Sequence, residues 1–339
     1  MSNKIRYFFD KIKPNFEEGG KFYFLHTTYD AIETFFFVPN KVTKSGSHIR
    51  DYVDMKRTMS VVIIALFPTA LFGIYNIGYQ HFLSVGLEKS FWEIMWFGIL
   101  KFLPLLLVSY ASGLFIEAIF SQIRKEEINE GFFVSGFLIP LIVPVDIPLW
   151  MLSLATMFAV LFGKEVFGGT GMNIFNPALL ARAFLFFAYP SWMSGGKVWI
   201  SGMVDNTDNI VDGFSGATVL GQLAAEGGEK SIHLLTGTGQ NLSVLDMFLG
   251  FIPGSIGETS TLAILLGAVI LLLTGVGSWR IMLSVFAGGY LMALLLNAFA
   301  VNPLMDFPAH LHLIVGGFAF GAVFMATDPV TAAQTNRGM

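Results

Sequence analysis

Gly98-Ile-Leu-Lys-Phe-Leu-Pro-Leu-Leu-Leu-Val-Ser-Tyr-Ala-Ser-Gly-Leu-Phe-Ile-Glu-Ala-Ile-Phe120 has only Lys101 and Glu117 as charged side chains. An α-helix needs roughly 20 predominantly apolar residues to cross the hydrocarbon core of a bilayer, so this stretch reads as a membrane span. Segments 59–79, 131–145, 148–163, 177–189, 260–276, 281–299 and 309–326 have the same character. Eight spans are therefore expected, of which the short or proline-bearing ones (Pro140 and Pro144 in the third, Pro177 heading the fifth) suit broken or tilted helices supported by neighbours. Composition agrees: 54% of the 339 residues are hydrophobic, 13% are charged and 35 are Phe, with a mean hydropathy of +0.65. Such a chain has the bilayer as its natural solvent.

The absence of cysteine removes disulfides, thiolate metal sites and Cys-ligated iron–sulfur centres together, so redox chemistry would need an organic cofactor or other subunits. A net charge of −4 with no basic stripe gives no footprint for nucleic acid. Residues 1–56 are charged and broken by Pro14, Gly19, Gly20 and Pro39, unlike a signal peptide, and read as a cytoplasmic extension. With eight alternating spans, Arg124, Lys125, Lys164, Arg280 and Arg337 join the N-terminal basic residues inside. Only Lys89, Lys101, Lys197 and Lys230 fall outside, while Arg182 lies within a span. This positive-inside bias places residues 190–258 outside the cytoplasm, and Asp205, Asp208, Asp212, Glu226, Glu229, Asp246 and Glu258 suit that side.

A weak internal repeat is also present. Ala111-Ser-Gly-Leu114, Glu130-Gly-Phe-Phe-Val-Ser-Gly-Phe137 and Val143-Pro144 run parallel to Ala287-Gly-Gly-Tyr290, Gly316-Gly-Phe-Ala-Phe-Gly-Ala-Val323 and Asp328-Pro329. The helices at 98–120 and 281–299 cross in opposite directions, which makes the repeat an inverted one, with binding sites expected at broken helices near the midplane. The fold expected is thus an all-α polytopic membrane protein. It divides into an extension (1–56), a first repeat of five spans (57–189), an extracytoplasmic loop (190–258) and a second repeat (259–339) with three spans. Symmetry asks for five in that second repeat, so the sequence is expected to be truncated.

Three sets of residues could carry chemistry. Asp212-Gly-Phe-Ser-Gly-Ala-Thr218 lies on the outer loop. By composition it is a Gly/Ser-rich turn. Equally, the Thr hydroxyl can form a phosphoester while small neighbours free backbone N–H groups for phosphate oxygens. Gly168-Gly-Thr-Gly-Met-Asn-Ile-Phe-Asn-Pro177, between two spans, is irregular backbone at membrane depth, which either packs helices closely or lines a cavity. Its Gly169-Thr-Gly171 is no dinucleotide fingerprint, because the strand, crossover and ribose-binding acid are missing. Glu117 and Asp328 are intramembrane acids, either structurally paired or on an ion path. His310 and His312, two apart, lack the three- or four-residue spacing of a helical metal pair and read as interfacial caps. Trp92, Trp96, Trp150, Trp192 and Trp199 read as an aromatic belt.

The first motif resembles the flavin-attachment signature of the family that holds the B subunit of the Na+-translocating NADH:quinone reductase and the related D subunit of the Rnf complex. The resemblance runs along the whole chain. It covers Phe16-Glu-Glu-Gly-Gly-Lys21, Val42-Thr-Lys44, Ser47-His-Ile-Arg-Asp51, Asp54-Met-Lys-Arg57, Asn129-Glu-Gly-Phe-Phe133 and Lys164-Glu-Val-Phe-Gly-Gly-Thr-Gly171. Further on it covers Asn176-Pro-Ala-Leu179, Arg182-Ala-Phe-Leu-Phe-Phe-Ala-Tyr-Pro190, Ile252-Pro-Gly-Ser-Ile-Gly-Glu258 and Met325-Ala-Thr-Asp-Pro-Val330.

The long N-terminal extension favours the branch of the reductase over that of the Rnf complex. The resemblance implies FMN held covalently on Thr218 within the motif Asp212, Gly213, Ser215, Gly216 and Ala217, and attached by an external flavin transferase that uses FAD. It further implies noncovalent riboflavin near Asn173, Asn176, Pro177, Thr327 and Asp328, sodium passage by Glu117 and Asp328, and ubiquinone near Gly113. In the family the next small residue after Gly113 is glycine, whereas Leu114 stands here. The family's further acid, in a last span, has no counterpart. Also implied are a six-subunit complex, a bacterial inner membrane and electron entry from NADH. Two other readings stay open: an Rnf D subunit, working between ferredoxin and NAD, and a channel or transporter without electron transfer.

Overall fold

The computed structural model describes residues 55–124, 131–204, 210–225 and 234–333, most of 2–23, and scattered positions among 26–47 and at 335 and 338. Lys125, Glu130, Asp205, Asp208, Glu226, Glu229, Lys230, Arg337 and much of the N-terminal extension lie outside the described residues. Every regular element among the described residues is helical apart from a single bridge between Leu235 and Asn241.

In chain order the α-helices are α1 Ser2–Ile12, α2 Met55–Val85, α3 Phe91–Arg124, α4 Phe132–Leu141, α5 Leu149–Gly163, α6 Pro177–Ala188 and α7 Pro190–Met193. They continue as α8 Val219–Ala225, α9 Val244–Leu249, α10 Thr261–Leu273, α11 Trp279–Ala298, α12 Pro303–Asp306, α13 Ala309–His312 and α14 Phe318–Phe320, which runs into a π-helical turn over Gly321–Met325. Arg57–Val85, Phe91–Arg124, Leu149–Phe167 and Trp279–Ala298 are long and apolar enough to cross a membrane. Gly131–Leu141, Pro177–Ala188 and Thr261–Leu273 are shorter apolar helices. The chain is a multi-pass membrane protein.

The decisive stretch is longer than its apolar core. At 34 residues and about 1.5 Å per residue, α3 exceeds the roughly 30 Å hydrocarbon thickness, so its ends reach the interfaces, where Trp92 and Trp96 are exposed. It packs against α2, α4 and α5. Glycines set how closely α2 and α3 approach. A Cβ on Gly98 would lie 1.8 Å from the carbonyl oxygen of Ile74, and one on Gly78 would lie 2.2 Å from that of Ile94. Small residues let membrane helices touch through their backbones. Gly98→Val is therefore expected to push α2 and α3 apart and to cost about 3 kcal/mol or more, in the range of severe core overpacking. The check is the thermal midpoint of the detergent-solubilised protein, which an unaffected helix pair would leave unchanged.

The half-helix α4 shows how a broken element survives. All its residues except Phe133 are buried, and Pro140 removes one N–H donor, leaving the carbonyl four residues earlier without its helical partner. That carbonyl, of Gly136, accepts a 2.9 Å hydrogen bond from the Ser109 hydroxyl, and Tyr110 donates to the carbonyl of Phe133 at 2.6 Å. Here α3 supplies the bonds that a continuous helix would make for itself.

The segment expected as an eighth span, 309–326, is not one helix. It is α13, a turn, α14 and the π turn. Gly316 sits at φ +65°, a left-handed conformation that ends a helix at little cost to glycine, and Gly317 lies directly under Glu258, whose Oε1 would be 2.5 Å from an added Cβ. Apolar content is visible in the sequence; the interruption depends on a neighbour distant in it.

Two cores result. The larger gathers Leu66, Leu138, Leu152, Leu185, Phe320 and Phe324 from the membrane helices. The smaller holds Val219, Leu223, Met247, Ile252, Phe307 and Leu311, and fixes helices α8 and α9 to the segment around α13.

Candidate functional site

Asp212 to Thr218 folds as the sequence requires of a turn. Gly213 takes φ +83°, and Val211 N–H donates to the carbonyl of Ser84 at 2.9 Å while Ser215 N–H donates to that of Gly237 at 3.0 Å. Gly216 is buried so tightly that an added Cβ would lie 2.5 Å from the carbonyl oxygen of Gly196. Asp212 and Ser215 are exposed, and Ala217 and Thr218 are half-buried.

Thr218 immediately precedes α8, and its Oγ1 accepts from Gly221 N–H at 3.1 Å. Below it Val219 and Leu223 are locked in the smaller core. Gln222 donates to the carbonyls of Ala217 (3.2 Å) and Leu235 (2.9 Å) and accepts from Leu235 N–H (3.0 Å). The hydroxyl is thereby held at a fixed place beside a cavity of about 160 Å³ whose lining includes Arg182, Trp199, Thr218, Glu258 and Gly317. A second cavity of about 330 Å³, lined by Tyr79, Ala217, Gln222, Thr236 and Asp246 among others, shares Val219, Ile252 and Pro253 with the first.

In the first cavity Arg182 pairs with Glu258. The acid is buried, with its side chain 7% exposed, whereas the arginine side chain is 32% exposed. Arg182 has five N–H donors, of which one is used on Glu258, and it lines the cavity, so among the described residues the guanidinium retains donors for a further acceptor. Trp199 is half-buried in this wall. From sequence, Arg182 is only a charge within a span and Glu258 only a loop acid; an ionisable group at membrane depth is the signal that points to the site. His312 departs from the expected cap. Its ring meets Phe307 edge-on at 5.0 Å, and its Nε2 is buried with no hydrogen-bond partner among the described residues.

The second group converges from two distant segments. Asn176 is the N-cap of α6: its Oδ1 accepts from Ala178 N–H (2.9 Å) and Leu179 N–H (3.4 Å), and Pro177 fills the first helical position. Its Nδ2 donates to Asp328 Oδ2 at 3.1 Å, and Asp328 also accepts from Thr331 Oγ1 at 2.8 Å. Asn173, Asn176, Pro177 and Asp328 share a cavity of about 20 Å³ with Ser135, Lys164 and Thr170.

That volume suits one water-sized species and has no room for a three-ring flavin in this conformation. Thr327 is not in its lining; its hydroxyl donates to the carbonyl of Val323. Glu117 also does not line the cavity and is paired with Lys164, which does. Gly113 lies under the Phe132 ring, 1.9 Å from where its Cβ would be, and so makes room for α4.

Residues 42–339 match the model of the NQR2, RnfD, RnfE family. The chain belongs to the NQR2, RnfD, RnfE family. Among family members it is 45% identical to the B subunit of the Na+-translocating NADH-quinone reductase of Chromohalobacter salexigens, over 98% of this chain and 83% of the relative. The corresponding proteins of Ectopseudomonas mendocina (46% identical, 98% and 85% covered) and Yersinia pestis (43%, 98% and 86%) are similar to the same extent.

Proposed function

We propose that the chain is the B subunit of a Na+-translocating NADH:quinone reductase and carries FMN on Thr218. The observation that carries the flavin reading is the Thr218 hydroxyl, fixed between the turn and α8 at a cavity containing Arg182 and Trp199. The second cavity, at about 330 Å³, brings the available room to the scale of ordinary cofactor sites, roughly 300–1,000 Å³. The residues fit the group: Thr218 as tether, Arg182 as a cation and Trp199 as an aromatic surface. When bound, the flavin supplies one- and two-electron transfer, while the protein contributes position and electrostatics. Thr218 is a tether and neither acid nor base. Arg182 favours added negative charge nearby, and Glu258 limits that effect while orienting the guanidinium.

The names of the relatives support this role over that of an Rnf D subunit, as does their similarity along 98% of this chain, N-terminal extension included. With that assignment come partner subunits, ubiquinone, a bacterial inner membrane with the outer loop on the far side, and a flavin transferase. The two buried interrupted elements, α4 and the 318–325 segment, support the inverted-repeat reading. Glu117 and Asp328 then belong to the ion path. Intact-mass measurement on protein from cells with an active flavin transferase tests the core of this reading: one added FMN phosphoester is expected. An unmodified mass would leave Asp212–Thr218 as an ordinary turn and favour a non-redox transporter.

A further inference from the structure

Lys164 closes the C-terminal end of α5 and is 4% exposed, as deeply buried as Glu117 at 3%. Its ammonium donates to Glu117 Oε1, yet Glu117 Oε2 is buried with no hydrogen-bond partner among the described residues. A carboxylate this deep would ordinarily have both oxygens satisfied. On its other side Lys164 forms part of the wall of the 20 Å³ cavity that holds Asp328, Asn176 and Thr170, and Thr170 Oγ1 is another buried oxygen without a partner among the described residues. One ammonium therefore stands between two oxygen-rich places, each incompletely satisfied, and the cavity is the size of one small ion or water.

The backbone around Lys164 is fixed independently. Arg124 donates to the carboxylate of Glu165 at 2.9 Å and also to its carbonyl, and Gly169 N–H donates to the Lys164 carbonyl at 3.1 Å. Only the flexible four-carbon stem is left to move, and a lysine carries a compact point charge without the planar fork that would lock it to the acid. A cation entering beside Asp328 would meet the ammonium at close range in a low-dielectric setting, where like charges repel strongly.

We propose that Lys164 is a tethered cation: it neutralises Glu117 while the path is empty and gives up the carboxylate when a sodium ion moves there from the Asp328 cavity. The inference rests on the ion-path reading of Glu117 and Asp328 and adds a residue that controls occupancy. A purely structural ion pair has a different consequence, since it would set how much complex assembles and not how much sodium is needed.

The test uses the whole complex in membranes, with sodium-stimulated quinone reduction normalised to the fluorescent flavin band. Lys164→Met removes the competing cation and is expected to lower the sodium concentration for half-maximal activity, whereas Lys164→Arg, held bidentately, is expected to raise it. Each shift should be roughly tenfold, within the usual range of coupling between sites. Opposite shifts support the proposal, and unchanged half-saturation in assembled Lys164→Arg complex overturns it whether or not Lys164→Met assembles. Loss of both variants from membranes of cells grown with sodium also overturns it, because a displaceable lysine is one that the fold does not require. A wild-type complex that has flavin but no sodium stimulation would instead sink the ion-path reading itself.

Discussion

Thr218→Ala is expected to produce a protein of normal abundance whose band shows no flavin fluorescence after denaturing electrophoresis, while the wild type and Thr218→Ser fluoresce. The effect is all-or-none because a phosphoester needs the hydroxyl oxygen and alanine has none. Loss of fold is the competing explanation, and the structure bounds it. The substitution removes the hydrogen bond from Gly221 N–H to Oγ1, a capping loss of about 1 kcal/mol. Val219 and Leu223 keep α8 in the smaller core, and Gln222 still clamps Ala217 to Leu235. Fluorescence persisting in Thr218→Ala would place the flavin on another residue. A dark wild-type band from cells with an active transferase would remove the flavoprotein reading altogether.

Legibility in the sequence follows the range of the interactions. The length and apolar character of α3, the Asn176-Pro177 start of α6 and the Gly213 turn are local, and each is readable from a few neighbouring residues. Pro140 announces a broken helix, but nothing local shows that Ser109 satisfies the carbonyl it frees. The 309–326 segment has enough apolar residues for a span; Gly316 and Gly317 break it where Glu258 needs room. The cavity beside Thr218 draws on positions 182, 199, 218, 258 and 317, and a single sequence carries no record of which distant residues meet. For the same reason Lys164 reads in the sequence only as an inside charge, although it is the partner of Glu117.

The Arg182–Glu258 pair allows an asymmetric prediction. Removing either member breaks the same ion pair, but the group left behind differs: Glu258 has 7% of its side chain exposed and Arg182 has 32%. Arg182→Met strands a carboxylate boxed in by Gly317, whose Cβ position is 2.5 Å from Oε1, and an uncompensated buried charge costs about 3–5 kcal/mol. Glu258→Gln leaves a guanidinium that can hydrate through the cavity, and its cost should be nearer about 1 kcal/mol, that of an ordinary hydrogen bond. The double variant should recover much of the Arg182→Met loss, because no charge is then stranded. Thermal unfolding of the solubilised protein across this cycle measures all three values. Equal costs for the two single variants would show that Glu258 is hydrated and that the acid is not stranded by loss of its partner. A second readout separates stability from function: with the flavin attached, Arg182→Met should shift its reduction potential to a more negative value, since the cation that favours added electrons is gone, whereas Glu258→Gln should shift it the other way. A purely structural pair would leave the potential where it was in both.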